Sequence, residues 1–587
     1  DPDVQCLVSD TDSYATGVSV GVDAPLPRSP QIFPPKLKHR KLDGTEFNPI
    51  ADNYVSGQIS SKELEEKFRE EEALGRMEPS RMSVLKAKYG DKLRVAAMAA
   101  IVKPDGGVRP LHDATHSVMV NHSIVYRDQL QCPGPAEVAA VVREAVESRE
   151  AAFCVSADIK AAHRLVKIRE ADWPYICCRA DSLSETVWIN KTGTFGVSSA
   201  PYWWSKLFAA IGRFVGHVMQ TTVFWHLVYV DDLHGAFAGR WKFDMLWVWL
   251  LAFEVIGTPF GYHKFKGGFS SDFVGFHLRY DKCEVGITEK RGMWLFNWIK
   301  ALIEKKFVVQ AREFSEFLGR LGFVAQLLTW LKPHLAPLFA WSAVATPGLV
   351  GKLPDTVILT LLYILGEMES ETFRVSARRP IYFSGEQFRT DAKCTDEHVV
   401  LGGWELQTRR WFSLKLDRTQ VPYLFKAEGG GSQWASTSAE LLSSLCALQA
   451  FGWFKEGTTR QTVTLALRAG TDNIANDALT SKRSTTRWPL MLINMQLSSS
   501  LAKARLSLDL RWRPREENVE ADNLTNEEFA GFSESDRVPV TLSDIDLCIV
   551  ETLWKTKAQF DEARLEAKNL GKTVPGGKKR KLEKSAW

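Results

Sequence analysis

The chain lacks any CxxC pair, and its nine cysteines follow no regular spacing. That argues against zinc knuckles and against a secreted disulfide framework. Long hydrophobic runs are also missing. The apolar segments 247–253 and 357–365 are far too short to cross a bilayer, and no signal peptide is present, so no membrane partner is expected. Charge of one sign is not in excess: 74 Lys and Arg against 70 Asp and Glu leave a formal net charge of +4. Binding to any polyanion must therefore rest on local basic patches. Apolar content of 45% and charged content of 25% are those of a globular chain rather than a disordered one. Its 587 residues suffice for several domains. Because the chain opens on Asp1 rather than Met, it is expected to be part of a longer reading frame.

What is present begins with Tyr229-Val230-Asp231-Asp232, set between the apolar runs 223–228 and 233–237. This reads as a β-hairpin whose tight turn carries two adjacent carboxylates. Desolvating two neighbouring anions is costly unless they are paired or coordinate cations. No basic residue lies within four positions, so a divalent metal is the natural counter-charge, and an oxygen-only ligand set suits Mg²⁺. The pattern also fits a solvated hairpin tip, since Asp-rich turns are common. A third carboxylate, Asp158, ends the apolar strand 152–157, and Lys160, His163, Arg164 and Lys167 follow it closely. Carboxylates that grip two metals, with cations to hold a triphosphate, are what nucleotidyl transfer requires.

At this point the chain resembles a retroelement reverse transcriptase with a ribonuclease H domain. Six motifs occur in the family's order. The finger motif is Ile101 to Leu111, with Asp113 and Asn121 beyond it. Asp158-Ile159-Lys160-Ala161-Ala162-His163-Arg164 is similar to the metal-binding palm strand. Gly193 to Pro201 resembles the phenylalanine-glycine loop, and the Asp231-Asp232 hairpin follows. Lys264 and Lys266 stand where a lysine motif is expected, and Phe273-Val274-Gly275-Phe276-His277 resembles the primer-grip hairpin. The resemblance points to the DIRS-like or long-terminal-repeat retrotransposon type, and away from telomerase and group II intron enzymes.

The resemblance implies roles. Asp158 and Asp231 would bridge both metals, Mg²⁺ or Mn²⁺, two ions per active site, with Asp232 a weaker ligand. Lys103 and Arg109 would fold over the triphosphate on a Gly-Gly finger hairpin, Arg109 using its planar fork; an exposed basic turn is the bland reading. Phe195 and Gly196 would pack against the incoming base pair, although Phe195 also fits an ordinary buried aromatic. Lys264 completes the nucleotide-binding set, and Phe273, Gly275 and Phe276 form the primer grip. The sequence departs from the family at His163, five residues after Asp158, where a Tyr or Phe ring usually excludes a ribose 2′-OH. Imidazole can block that hydroxyl or hydrogen-bond it, or simply pack beneath the fingers.

A second set of carboxylates lies downstream. Phe388 to Ala392 reads as a strand ending at Asp391, Ser438 to Leu442 opens an apolar helix carrying Glu440, a strand leads through Ala469-Gly470-Thr471 to Asp472, and Asp522 stands near a helix start. Each alone fits a surface carboxylate. Their order resembles ribonuclease H, which implies two metals activating water against an RNA phosphodiester. Relatives often carry a His ten residues before the last Asp, where Trp512 stands here, and slow turnover is expected from that loss.

The expected fold class is an α+β and α/β multidomain chain: a right-hand polymerase of fingers, palm and thumb, then a ribonuclease H-like mixed sheet with helices. The expected divisions are 1–90, an N-terminal arm and charged helix opened by a capping box at Ser60-Ser61-Lys62-Glu63; 91–280, fingers and palm; 281–375, thumb and connection; 376–535, ribonuclease H-like; and 536–587, a helix and basic tail. Helical spacing of Phe314, Phe317, Leu318, Leu321, Val324 and Leu328 predicts a thumb helix, or an ordinary amphipathic one. Residues 374–380 read as a linker. Of the chain's twenty tryptophans, Trp203-Trp204 are candidates for stacking on bases. The tail 576–582 reads as a nuclear localisation signal, a phosphate patch or a solvated tail, so an intracellular location is expected, nuclear where the tail acts as a signal. The expected partners are an RNA template, a DNA primer, an RNA/DNA hybrid and dNTPs. The rival expectation is a domesticated or decayed relative that only binds nucleic acid as a scaffold.

Overall fold

The computed structural model describes residues 12–37, 46–103, 106–148, 151–220, 223–346, 348–370, 373–426, 429–454 and 464–573. The chain is a mixed α/β protein with several sheets, and its contacts divide it into two units, 1–274 and 275–587.

The first unit contains two sheets. One orders the strands Met77–Arg81, Thr186–Asn190, Cys177–Cys178, Val95–Val102 and Val108–Asp113. Its last two strands form an antiparallel hairpin with Ile101 opposite Arg109 and Val102 opposite Val108. The other sheet orders Phe224–Tyr229, Asp232–Phe237, Phe153–Asp158 and Lys266–Gly268. Two apolar helices, Ser199–Met219 and Lys242–Val255, bury Trp203, Trp204, Phe208, Trp249 and Phe253 in one core. Trp204 and Phe208 stack at 5.0 Å, and both Trp203 and Trp204 are fully buried. They are core residues and do not serve as base-stacking surfaces; composition counts aromatics without saying which way they face. The charged helix spans Ser61–Ala73, and Ser60 makes no side-chain cap hydrogen bond, so the expected capping box is not formed.

The second unit begins with an antiparallel sheet of Phe276–Arg279, Glu284–Ile287 and Arg374–Ser376. The proposed linker at 374–380 therefore starts as a strand, paired with a segment far away in sequence. Helix Ala311–Leu327 buries Phe314, Phe317, Leu318, Leu321 and Val324, the face that the spacing predicts. A six-stranded mixed sheet follows. His398–Glu405 lies between Trp411–Asp417 and Phe388–Cys394, antiparallel to both. Leu465–Thr471 then runs parallel to Phe388–Cys394, Leu506–Trp512 and the short Ile381–Tyr382. Helix Ser436–Ala450 is buried from Ser438 to Leu448, as a helix apolar on all sides must be. Among the described residues, no helix is long and apolar enough to cross a membrane. The basic tail at 576–582 lies outside the described residues.

One glycine decides how this sheet is covered. A Cβ at Gly402 would meet Thr525 Cγ2 at 2.9 Å and Leu524 Cβ at 3.0 Å, so only hydrogen lets helix Val519–Thr525 close on the strand. Gly402→Ala is expected to cost about 1–3 kcal/mol by overpacking. The check is thermal unfolding: an unchanged midpoint would show that the helix gives way without penalty.

Candidate functional site

In the first unit, Asp158 and Asp232 are cross-strand partners, and Tyr229 pairs with Asp232 on the other side. Val230 and Asp231 are thus the whole turn. Val230 takes φ +56°, which a β-branched residue adopts at a cost of roughly 1–3 kcal/mol. The surroundings hold it there: the Val230 carbonyl accepts from Trp204 Nε1 at 2.6 Å, and the Asp231 carbonyl accepts from the Ile159 N–H at 3.0 Å. Burial raises the pKa of Asp231, with Asp158 adding to it; burial, then Asp231 and Asp158, push Asp232 up to about 6. Asp231 and Asp232 thus have reason to accept positive charge.

The cation that meets them is Lys264, whose Nζ stands 2.7 Å from Asp158 Oδ2. Of the basic residues that follow Asp158, two point elsewhere. Arg164 pairs with Glu71 at 3.0 Å and donates to Asn190, and Lys167 donates to the Ala15 carbonyl at 3.2 Å. Adjacent sequence did not reveal this, because the residues near Asp158 leave the strand through a turn and a short 3₁₀ helix, Ala162–Leu165.

Of the other expected nucleotide-binding residues, Arg109, Phe195 and His163 form a cluster. The Arg109 guanidinium lies 4.5 Å from the centre of the Phe195 ring, and Phe195 meets His163 edge-on at 4.9 Å. Phe195 is 42% exposed while His163 is buried, and His163 Nδ1 has no hydrogen-bond partner. Burial, with Arg109 nearby, pushes the His163 pKa down to about 4, so the ring is neutral at physiological pH. Gly196 takes φ +97°, and a Cβ there would stand 1.7 Å from the His112 carbonyl oxygen. It serves close backbone approach to His112, with its own carbonyl accepting from Asn121 Nδ2 at 2.6 Å. Lys103 is exposed just after strand Val95–Val102, its N–H donating to the Gly107 carbonyl at 2.7 Å.

The expected primer-grip residues turn inward. Phe273, at the end of the first unit, is buried with its ring 5.4 Å from that of His234. Phe276, in the second unit, is buried and stacks on Phe323 at 4.9 Å. A side chain on Gly275 would run into the Arg291 guanidinium. The sequence reading gave no sign of a polar link beneath the carboxylates. Ser156 and His234 are cross-strand partners two residues from Asp158 and Asp232, and Ser156 Oγ lies 3.1 Å from His234 Nδ1 and 2.7 Å from Ser271 Oγ.

In the second unit, Asp391, Glu440 and Asp472 bring one oxygen each within 4.8 Å of one another, a set able to hold a metal ion. Among the described residues it is the only set of three or more such groups; the oxygens of Asp158, Asp231 and Asp232 are not gathered so closely. Asp391 lies within strand Phe388–Cys394 rather than at its end. Glu440 is the one charged residue of its buried helix, which is the signal in sequence that marks it. Asp472 follows strand Leu465–Thr471 directly.

Their environment is acidic and partly satisfied by hydrogen bonds. Glu440 accepts from Thr471 Oγ1 at 3.2 Å and from Asn473 Nδ2 at 3.1 Å, and Asp391 accepts from Thr525 Oγ1 at 2.9 Å. Burial pushes Glu440 up to about 8 despite the bond from Asn473, with Asp472 and Asp391 adding to the rise. Burial likewise raises Asp391 and Asp472. Asp522 is not one of the three gathered within 4.8 Å, but its charge adds to the rise of Asp391 and Asp472, and it accepts from Arg515 at 2.5 Å and from Asn526 at 2.9 Å. Asn473, Arg515 and Thr525 join the site without a motif in the sequence to mark them. Asn473 was open to discovery, since Asn before a helix is a cap, and its Oδ1 accepts from the Ala475 N–H at 3.0 Å.

No protein-family model and no curated protein matches the chain. Solved structures similar to it include the foamy viral protease-reverse transcriptase. The "dRH" form with double-stranded DNA gives a TM-score of 0.44 at 11% identity, covering 79% of this chain and 71% of that one. The complex with an RNA/DNA hybrid gives 0.43 at 10%, covering 80% and 55% respectively. A further complex with double-stranded DNA gives 0.42 at 12%, covering 81% and 88%.

Proposed function

We propose that the chain is an RNA-directed DNA polymerase of retrotransposon type, fused to a ribonuclease H that degrades the copied RNA strand. The observation that carries the reading is a pair of separate acid centres in one chain. In one, Asp158 and Asp232 are paired across strands with Asp231 in the turn between; in the other, Asp391, Glu440 and Asp472 converge. Both sets have carboxyl groups held above their ordinary range by burial and by one another, so both favour a bound cation.

In the polymerase centre, Asp158 and Asp231 would hold two Mg²⁺ or Mn²⁺ ions, with Asp232 supporting. When bound, the ions supply Lewis-acid stabilisation of the attacking and leaving oxygens. Lys264 neutralises Asp158 in their absence and would move to the triphosphate when the ions take over. Arg109 would leave the face of Phe195 for the phosphates, to which its fork bonds bidentately. In the second centre, Asp391, Glu440 and Asp472 would hold the ions, and Asp522 would support them once released from Arg515. The partners are then an RNA template, a DNA primer, dNTPs and an RNA/DNA hybrid. A nuclear role for the tail at 576–582 belongs to the same reading. The test is primer extension with each nucleotide class on RNA and DNA templates, alongside cleavage of a labelled hybrid. Nucleic-acid binding without either activity would leave the scaffold reading in its place.

His163 then determines sugar choice. A neutral ring under Phe195 would act by filling space, so His163→Ala is expected to raise ribonucleotide use relative to deoxynucleotide use, on the order of tenfold. The ratio of kcat/KM values for the two sugars measures it. If the ring instead bonds the 2′-OH, the ratio moves the other way; an unchanged ratio places His163 outside the sugar pocket.

A further inference from the structure

We propose that Trp512 is the surface on which a nucleic-acid strand stacks at the Asp391–Glu440–Asp472 centre; this rests on the hybrid-cleaving reading of that centre. Trp512 ends strand Leu506–Trp512, opposite Thr471 in parallel register and so beside Asp472. Two hydrogen bonds fix it: its backbone N–H donates to Asp477 Oδ2 at 3.0 Å, and its indole Nε1–H donates to the Asp472 carbonyl at 3.1 Å. The ring is nonetheless 42% exposed.

Exposure alone says little, because single apolar side chains on a surface are ordinary. The way this ring is held says more. Its polar edge is spent on the backbone of a metal-ligand candidate, which ties the orientation of the ring to Asp472. Ile474, 66% exposed, flanks Asp472 from the next helix, whose capping Asn473 also donates to Glu440. Exposed apolar surface thus adjoins Asp472, and the exposed Arg515, which pairs with Asp522, is near enough to feel Asp391 and Asp472 as well. A nucleic-acid strand has this alternation: phosphate suits the acids' metal and Arg515, while a base or sugar face suits Trp512 and Ile474. Stacking of this kind is indifferent to base identity, since every base has a π face. An indole has no proton to exchange near neutral pH, so Trp512 positions substrate by stacking and donating alone.

The experiment uses the full chain and its Trp512→Ala and Trp512→Phe variants, with hybrid cleavage measured at steady state. Loss of a stacked base corresponds to roughly 5- to 150-fold in affinity. Trp512→Ala should therefore raise KM for the hybrid by about that factor with kcat nearly unchanged. Trp512→Phe should keep most of the affinity, and primer extension should be unaffected in both. If Trp512→Phe falls with Trp512→Ala, and both lose kcat, the indole hydrogen bond to Asp472 is the whole role and stacking is wrong. If neither variant moves KM, stacking is also wrong. A separate arm reads emission quenched on adding hybrid in Ca²⁺, as the difference between parent and Trp512→Phe. Should the parent not cleave hybrid, the activity reading fails; a persisting quenching difference still upholds stacking, and its absence overturns both.

Discussion

Asp231→Asn is expected to abolish primer extension, by roughly a thousandfold or more, while leaving the protein at least as stable as the parent. The activity loss follows from removing an anionic ligand from a centre that must balance transition-state charge, worth several kcal/mol. The stability side follows from the direction of the pKa shift. Burial, and then Asp158, raise the Asp231 pKa above its unfolded value. A group shifted this way stabilises the fold fully only below its unfolded pKa, and loses that contribution as pH rises through the folded pKa. At neutral pH the ionised side chain is therefore a burden that Asn lacks. The turn does not depend on the carboxylate, since the Ile159 N–H holds the Asp231 carbonyl and Trp204 holds that of Val230. Primer extension and thermal unfolding across pH test both halves, with the stability advantage of the variant growing as pH rises from the unfolded pKa of Asp231 through its raised folded one. Extension near the parent rate would remove Asp231 from the site, and collapse of the fold would make its role structural.

What the sequence disclosed and what it hid divide by range. Local spacing exposed helix Ala311–Leu327, because burial of Phe314, Phe317, Leu318, Leu321 and Val324 repeats at the helical period. The turn at Val230-Asp231 was equally local. The register that sets Asp232 against Asp158 is not, since it pairs strands separated by a long stretch of chain including helix Ser199–Met219. The counter-charge came from Lys264 for the same reason, while the nearer Arg164 is consumed by Glu71. Strand Arg374–Ser376 is too short to show alternation and exists through its pairing with Glu284–Ile287, so it read as a linker. Glu440 showed itself because a lone charge inside an otherwise uncharged helix has no structural reason to be there. Thr525 meets Asp391 because Gly402 lacks a side chain, a relation that no spacing rule contains.

Asp472→Asn should stop hybrid cleavage and leave primer extension intact, since the two acid centres belong to different units. The same substitution should reduce the gain in unfolding temperature that Mg²⁺ or Mn²⁺ gives the parent by the second centre's share, because a ligand that binds only the folded chain stabilises it by mass action. The indole bond of Trp512 runs to the Asp472 backbone carbonyl and survives the change, so local structure is retained. In the metal-free parent, Glu440 is raised from 4.5 to about 8 by burial first, with Asp472 among the groups that add to it. Its contribution is therefore present below about pH 4.5 and lost as pH rises through about 8. Replacing Asp472 removes one repelling charge and should flatten that loss. Metal reverses the dependence, since the ligands must be deprotonated to bind it, and metal affinity of the parent should climb across the same window. Unfolding scans with and without metal from pH 5 to pH 9 separate the cases. A metal-induced shift undiminished in Asp472→Asn would remove Asp472 from the metal site, and extension that falls together with cleavage in a folded variant would end the two-centre account.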